Sequence, residues 1–174
     1  PIINCRPIKA LKDMVKALEE KGYQEIIYVS GDMKFYDSVL QKEDLYDALT
    51  SSAIRLSKEL SGDYSRKSGY SAALDIFKNK FKKKTVVLLA NDLMATGFYR
   101  YAYEHQIAIP QKVGVIGSDD EVISRTLFPE LATIRQPRAE MGSASVRELM
   151  ALIKGKSAFK NEFLSSEFIE RGSV

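Results

Sequence analysis

Residues 85–120, TVVLLANDLMATGFYRYAYEHQIAIPQKVGVIGSDD, decide the fold. The run 85–90 is continuously apolar, as a parallel strand buried on both faces should be. It stops at Asn91-Asp92, and Ala95, Phe98, Tyr99 and Ala102 then fall on one face of a helix. Ile109-Pro110 ends that pattern. The run 113–117 is a second buried strand, and it too ends in polar groups, Ser118-Asp119-Asp120. Two neighbouring strands therefore deliver an amide and carboxylates to one edge of a sheet. That carboxyl edge is where open α/β sheets bind ligands.

The pattern extends in both directions. Upstream, Ile8, Leu11, Met14, Val15 and Leu18 predict an amphipathic helix over 8–21, ended by Gly22. EIIYVSGD (25–32) reads as a buried strand running into a glycine turn. Residues 33–42 read as loop, and Leu45, Leu49, Ala53, Leu56 and Leu60 as the next helix. SGDYSRKSGY (61–70) is a polar loop carrying Tyr64. Ala72, Ala73, Ile76 and Phe77 begin a helix that ends in KNKFKKK (78–84).

Downstream, EVISRTLF (121–128) is a short helix or irregular turn closed by Pro129, and LATIRQ (131–136) is a strand. Residues 138–153 form a helix with Met141, Leu149, Leu152 and Ile153 as core, ended by Gly155. FLSSEFIERGSV (163–174) is a terminal strand and tail, and PIINCRP (1–7) a strand or connector. This βα alternation predicts a mostly parallel, doubly wound α/β sheet.

Composition excludes several classes. The chain has 174 residues, a single-domain length, and a net charge of +3, too small to imply nucleic acid. Cys5 is the only cysteine, so no internal disulfide forms and a reducing compartment is expected. No apolar run is long enough to span a membrane. The chain begins with Pro1, so it is read as a piece of a longer protein. His105 is the only histidine, which leaves neither a triad nor a nitrogen–sulfur metal site. No Gly-rich phosphate loop is present. The lysines of 78–84 suit a helix carboxyl end, with phosphate binding the lesser reading.

Asn91 and Asp119 are the first binding candidates. An amide both donates and accepts and a carboxylate accepts twice, so one of each can orient a polyol. The competing reading makes Asn91, Asp92 and Asp119 helix caps, and Asp92 is taken mainly as one. Tyr64, between Gly62 and Gly69, offers an aromatic face for stacking, or covers a helix end. Asp119 and Asp120 are adjacent, so their side chains diverge and no acid/base pair is expected.

ANDLMATG (90–97), IAIPQKVGVIGSDD (107–120), FPELATIRQPRAEMG (128–142) and IERGSV (169–174) stand in order and resemble the lactose/galactose-repressor family of bacterial regulators. The resemblance covers residues 8 to 174. It implies a periplasmic-binding-protein-like fold of class I, present mainly as its carboxy-terminal subdomain. The implied division is a connector or strand at 1–7, the subdomain at 8–136, a helix returning to the other subdomain at 137–155, and a terminal strand and tail at 156–174. Asn91 and Asp119 would then contact the effector, Tyr64 would wall the cleft, and Gln136 would reach it near a crossover.

At the position where the family carries an effector-gripping Arg stands Gln41, and Asp44 replaces a Gly three residues on. Losing that Arg removes a bidentate clamp, so a simple sugar is not assured as effector. The late helix would lack its usual sheet. The implied function is the effector-binding and dimerisation region of a cytoplasmic transcription regulator, with no enzymatic activity and no cofactor. Its effector would be a sugar, sugar phosphate or nucleobase. DNA would be reached only through a headpiece absent from this stretch. The resemblance further implies a homodimer, formed through the helix that carries Tyr99, Tyr101 and Tyr103 and the turn after Asp120, and a protein co-regulator is a further partner. The alternative is a solute-binding protein of a sugar transporter. A phosphate-using enzyme ranks last.

Overall fold

The computed structural model describes residues 3–155 and 161–174. Residues 1–2 of the expected connector and 156–160 of the expected tail lie outside the described residues. The elements are β1 (Ile3–Arg6), α1 (Ile8–Glu20), β2 (Glu25–Ser30), α2 (Tyr36–Leu49), β3 (Arg55–Ser61), α3 (Arg66–Ile76), β4 (Thr85–Leu89), α4 (Asp92–Glu104), β5 (Gly114–Ser118), a single 3-10 turn (Val122–Arg125), β6 (Ala132–Arg135), α5 (Arg138–Ile153), β7 (Glu162–Ser165) and β8 (Glu167–Ile169).

Six strands form one sheet in the order β3-β2-β4-β5-β6-β8. All neighbours are parallel except β8, which runs antiparallel to β6. The apolar runs feed both faces, because successive side chains of a strand point oppositely. Ile26, Tyr28, Val86 and Leu88 pack with Leu11, Met14, Leu18 and Leu45 of α1 and α2. Ile27, Val29, Val87 and Leu89 pack with Ala73, Ile76, Met94 and Phe98 of α3 and α4. The sheet is thus doubly wound, as expected. A second, two-stranded sheet pairs β1 with β7 in parallel.

Four expectations are corrected. The helix read across Leu45 to Leu60 ends at Leu49, and Leu56 and Leu60 belong to strand β3. Every-fourth-residue spacing satisfies both the helical and the two-residue period, and the side chains of β3 alternate between half-buried and exposed. Part of the stretch read as loop, from Tyr36 on, is the start of α2. On α5 the supposed core residues Leu149 and Ile153 are 55% and 70% exposed, and only Ala144 is buried. The helix contacts β1 and β7 of the small sheet, and Val146, Leu149, Met150, Leu152 and Ile153 are left exposed. The stretch 163–174, read as one terminal strand and a tail, holds two strands: β7 joins the small sheet and β8 forms an edge of the large one. Ser173 Oγ donates to Val115 O (2.6 Å) and accepts from Ala132 N–H (2.8 Å), tying the end of the chain to β5 and β6.

Candidate functional site

A cavity of about 280 Å³ lies at the carboxyl edge of the large sheet, under the small β1–β7 unit. Of the expected site residues, Tyr64, Asp119, Gln136 and Gln41 line it. The small unit contributes Asn4, Cys5, Met141 and Ser166. Asp37 and Leu40 on α2, with Ala90, Ser118 and Ile134 at the strand ends, complete most of the wall.

Asp119 reaches the cavity through its backbone. Asp119 and Asp120 both take positive φ, +107° and +49°, where an aspartate is tolerated better than most residues. Asp119 N–H donates to Ile134 O at 2.8 Å, so the turn stays on the sheet. Two left-handed residues in succession send the adjacent carboxylates apart, as the sequence suggested. Asp119 Oδ1 accepts from Gln136 Nε2 (3.1 Å) and lies 3.4 Å from the Arg138 guanidinium. Burial pushes its carboxyl up, against the pull of Arg138.

Asp120 turns the other way, into Arg171 (2.5 Å), Arg135 (2.8 Å) and Arg125 (3.0 Å). Burial alone would raise its carboxyl; the three guanidiniums overturn that and hold it well below the usual carboxylate range. Asp120 is tied to these arginines and is not among the residues lining the cavity.

Tyr64 stands at φ +65°, and its ring lies across the end of β2. A Cβ on Gly31 would come within 2.0 Å of that ring, so only glycine lets it lie there. The Tyr64 hydroxyl is hydrogen-bonded to Ser38, and its carbonyl accepts from Asn91 Nδ2 at 3.2 Å. Asn91 Oδ1 caps α4 by accepting Met94 N–H at 2.8 Å. Both ends of the Asn91 amide are engaged, and it is not among the residues lining the cavity. The capping alternative describes its position here.

Gln41 Oε1 accepts from the Tyr28 hydroxyl at 3.2 Å. The neighbouring departure, Asp44, is fully buried and ion-paired to Arg6 at the end of β1, whose Nε donates to Asp44 Oδ2 at 3.2 Å. A charge buried at that position has been matched by one from the crossover. Sequence reasoning missed this pair, and Cys5 with it. Cys5 Sγ is hydrogen-bonded to Ser166 Oγ (2.9 Å), and burial raises its thiol. The signal was unreadable because β1 has only four residues and its partner strand is distant in sequence.

Asp92 does more than cap a helix. It is fully buried, accepting from Thr133 Oγ1 (2.7 Å) and Glu121 N–H (2.8 Å). Burial, with the nearby Asp119 and Asp120 charges adding to it, pushes its carboxyl up to about 7. His105 is structural: Nδ1 faces Tyr101 O at 2.9 Å, and its ring stacks on Tyr101. Of the lysine run, Lys78 pairs with Asp75 and Lys84 bonds Lys21 O, at the sheet edge opposite the cavity. Among the described residues no group of His, Cys, Asp or Glu is placed to hold a metal, and no helix is long and apolar enough to cross a membrane.

A family profile described as a periplasmic binding protein-like domain matches residues 15–174. The lactose operon repressor of Escherichia coli K12 is 29% identical over 157 residues, covering 90% of this chain and 43% of that protein. The ribose operon repressor of the same strain is 27% identical, covering 90% and 48%. A dimeric Lac repressor with a carboxy-terminal deletion superposes with a TM-score of 0.90 at 26% identity, over 99% of this chain and 63% of that one. A Lac repressor dimer bound to operator and an anti-inducer gives 0.89 at 26%, over 99% and 60%. The chain spans about half the length of the curated relatives it matches.

Proposed function

Because the chain belongs to the periplasmic binding protein-like domain family, among relatives that are operon repressors, we propose that it is the effector-binding region of a transcription regulator. One observation carries this reading. The cavity is walled from both units, by Tyr64, Asp119 and Gln136 on one side and Asn4, Cys5 and Ser166 on the other. A ligand there touches both bodies and binds one relative angle better than another, and only such differential binding shifts a conformational equilibrium. In this reading Asp119 and Gln136 anchor hydroxyls, Gln41 adds a neutral contact, Tyr64 is the stacking wall, and Asn91 holds Tyr64 and α4 in place. DNA binding belongs to a segment outside this chain, and no catalytic step is assigned. A transporter's solute-binding protein would share the fold; relatives named as repressors favour the regulator.

The test is a ligand screen on the full-length protein, read by melting midpoint and by labelling of Cys5. A ligand at about a hundred times its Kd adds roughly 2.7 kcal/mol of stability. That raises the melting midpoint by several degrees. It should also slow thiol labelling, because Cys5 lines the cavity. Asp119→Ala should weaken binding about a hundredfold by removing a charge-assisted acceptor. Binding that survives this change with Cys5 still reactive would place the effector elsewhere.

The same reading includes a homodimer. Phe128 and Tyr103 are 97% and 87% exposed, with Val122 and Leu93 also bare on the turn and on α4. Exposed apolar patches of this kind mark interaction surfaces. Phe128→Asp should halve the mass seen by analytical ultracentrifugation while leaving the melt of the single chain within a degree or two. A variant still dimeric at micromolar concentration would move the interface away from this turn.

A further inference from the structure

The geometry points to a polyhydroxylated ligand bearing a protonated amine, such as an amino sugar, as the molecule this cavity takes. The inference rests on the cavity being the effector site and concerns the charge that the site selects.

The lining carries two carboxylates, Asp37 on α2 and Asp119 after β5, and no Lys, Arg or His among the described residues. Arginines do stand nearby, but each is engaged by a carboxylate. Arg6 is held by buried Asp44, and Arg135 by Asp120 and Glu167. Arg138 lies closer to Glu121 (2.5 Å) than to Asp119 (3.4 Å). Gln41, where the family resemblance implies a guanidinium, is a neutral amide on this wall. An anionic ligand would therefore meet two like charges and no free cation, in a cleft whose low-dielectric walls strengthen the repulsion.

A neutral polyol would find partners but leave the charge of Asp119 only partly compensated. That carboxylate is three-quarters buried, with its nearest guanidinium at the long end of ion-pair range. A ligand ammonium would supply the missing countercharge, and charge-assisted hydrogen bonds are the stronger kind. The rest of the wall suits hydroxyls and a ring face. Gln41, Gln136, Asn4 and Ser118 offer neutral donors and acceptors, and Tyr64 lies beside them. The combination of two acids, several amides and one aromatic recognises a cationic sugar-like ring and rejects its phosphate.

The experiment is calorimetric titration of the full-length protein with matched sets in the gluco, galacto and manno series. Each set holds the 2-amino sugar, the parent sugar, the N-acetylated amine and the 6-phosphate. One amine should bind at least tenfold tighter than its parent and its N-acetyl form, with the phosphate weakest. Asp37→Asn, an exposed change, should shrink the amine preference severalfold without moving the melt. Gln41→Arg should reverse the order and favour the phosphate. Parent and amine binding alike, or the phosphate binding tightest, would overturn the inference and leave the effector-site reading intact. No binding by any member would overturn the inference; the effector-site reading falls only if the wider screen also finds no ligand that protects Cys5.

Discussion

Replacing Gly97 by alanine should lower the melting midpoint by about 10 °C. Helices α3 and α4 meet through two glycines. A Cβ on Gly97 would lie 1.9 Å from Arg66 O and 2.8 Å from Tyr70 N; a Cβ on Gly69 would lie 1.9 Å from Met94 O. The obstacles are backbone atoms, which cannot swing aside as a side-chain end can. The helices must separate, loosening Ala73, Ile76, Met94 and Phe98 in the core between them and the sheet. Overpacking typically costs about 1–3 kcal/mol, and clash with main chain belongs at or above the top of that range. At about 2–4 °C per kcal/mol, the shift is near 10 °C.

Gly142 on α5 is the control. Nothing lies within 4 Å of a Cβ there, so alanine should be neutral or stabilise by up to about 1 kcal/mol through helix propensity. Ligand affinity should fall with Gly97→Ala as well, since Asn91 at the head of α4 holds the Tyr64 carbonyl. A Gly97→Ala melt within two degrees of the parent would show that this close approach is not structurally required.

The elements most legible in the sequence were those whose pattern admits one reading. The runs in β2, β4 and β5 are apolar on both faces, and no surface helix looks like that. Ile8 to Leu18 fixed α1, with Gly22 at φ +76° closing it. The site followed where it rides on strand ends, as Asp119 and Gln136 do. What failed was half-exposed or non-local. β3 is an edge strand with charged Arg55, Lys58 and Glu59, so its leucines fitted a helix equally well. On α4, Tyr99 and Tyr101 are buried and Tyr103 is bare, although helical spacing groups 99 with 103. The Tyr101 ring is drawn inward by stacking on Phe77 and His105, which no local pattern announces. Asn91 shows the same limit: a motif identified the residue, and only the fold shows that both ends of its amide hold protein.

Stability should fall as pH rises from about 4 to 7, and Asp92 should be the main cause. Its carboxyl is pushed from 3.8 to about 7 by burial, with Asp119 and Asp120 adding repulsion against the hydrogen bonds from Thr133 and Glu121. A raised carboxyl pKa means that the folded state holds the proton more tightly than the unfolded chain. The contribution is therefore fully present below 3.8 and is lost as pH climbs through about 7. Over that whole window the shift from 3.8 to about 7 corresponds to roughly 4 kcal/mol. Asp119 is also raised and bends the curve the same way. Asp120, held low by its three arginines, has the opposite sign: its stabilisation exists above the unfolded value and is lost only in acid. The two limbs place the stability maximum near pH 4, where the Asp92 contribution is still whole and the Asp120 contribution is already present.

Asp92→Asn separates these contributions. The amide can take both partners, its Oδ1 accepting the Glu121 N–H and its NH2 donating to the Thr133 hydroxyl, which accepts as well as donates. At pH 5, where the parent carboxyl is largely protonated, the variant should therefore melt close to the parent. At pH 8 the parent carries a buried charge that the variant lacks, so the variant should melt above the parent. A parent midpoint that stays flat from pH 5 to 8 would mean that Asp92 is ionised throughout. The turn after β5, which aims Asp119 into the cavity, would then be tied down by a buried charge that Thr133 and the Glu121 amide stabilise without help from a proton.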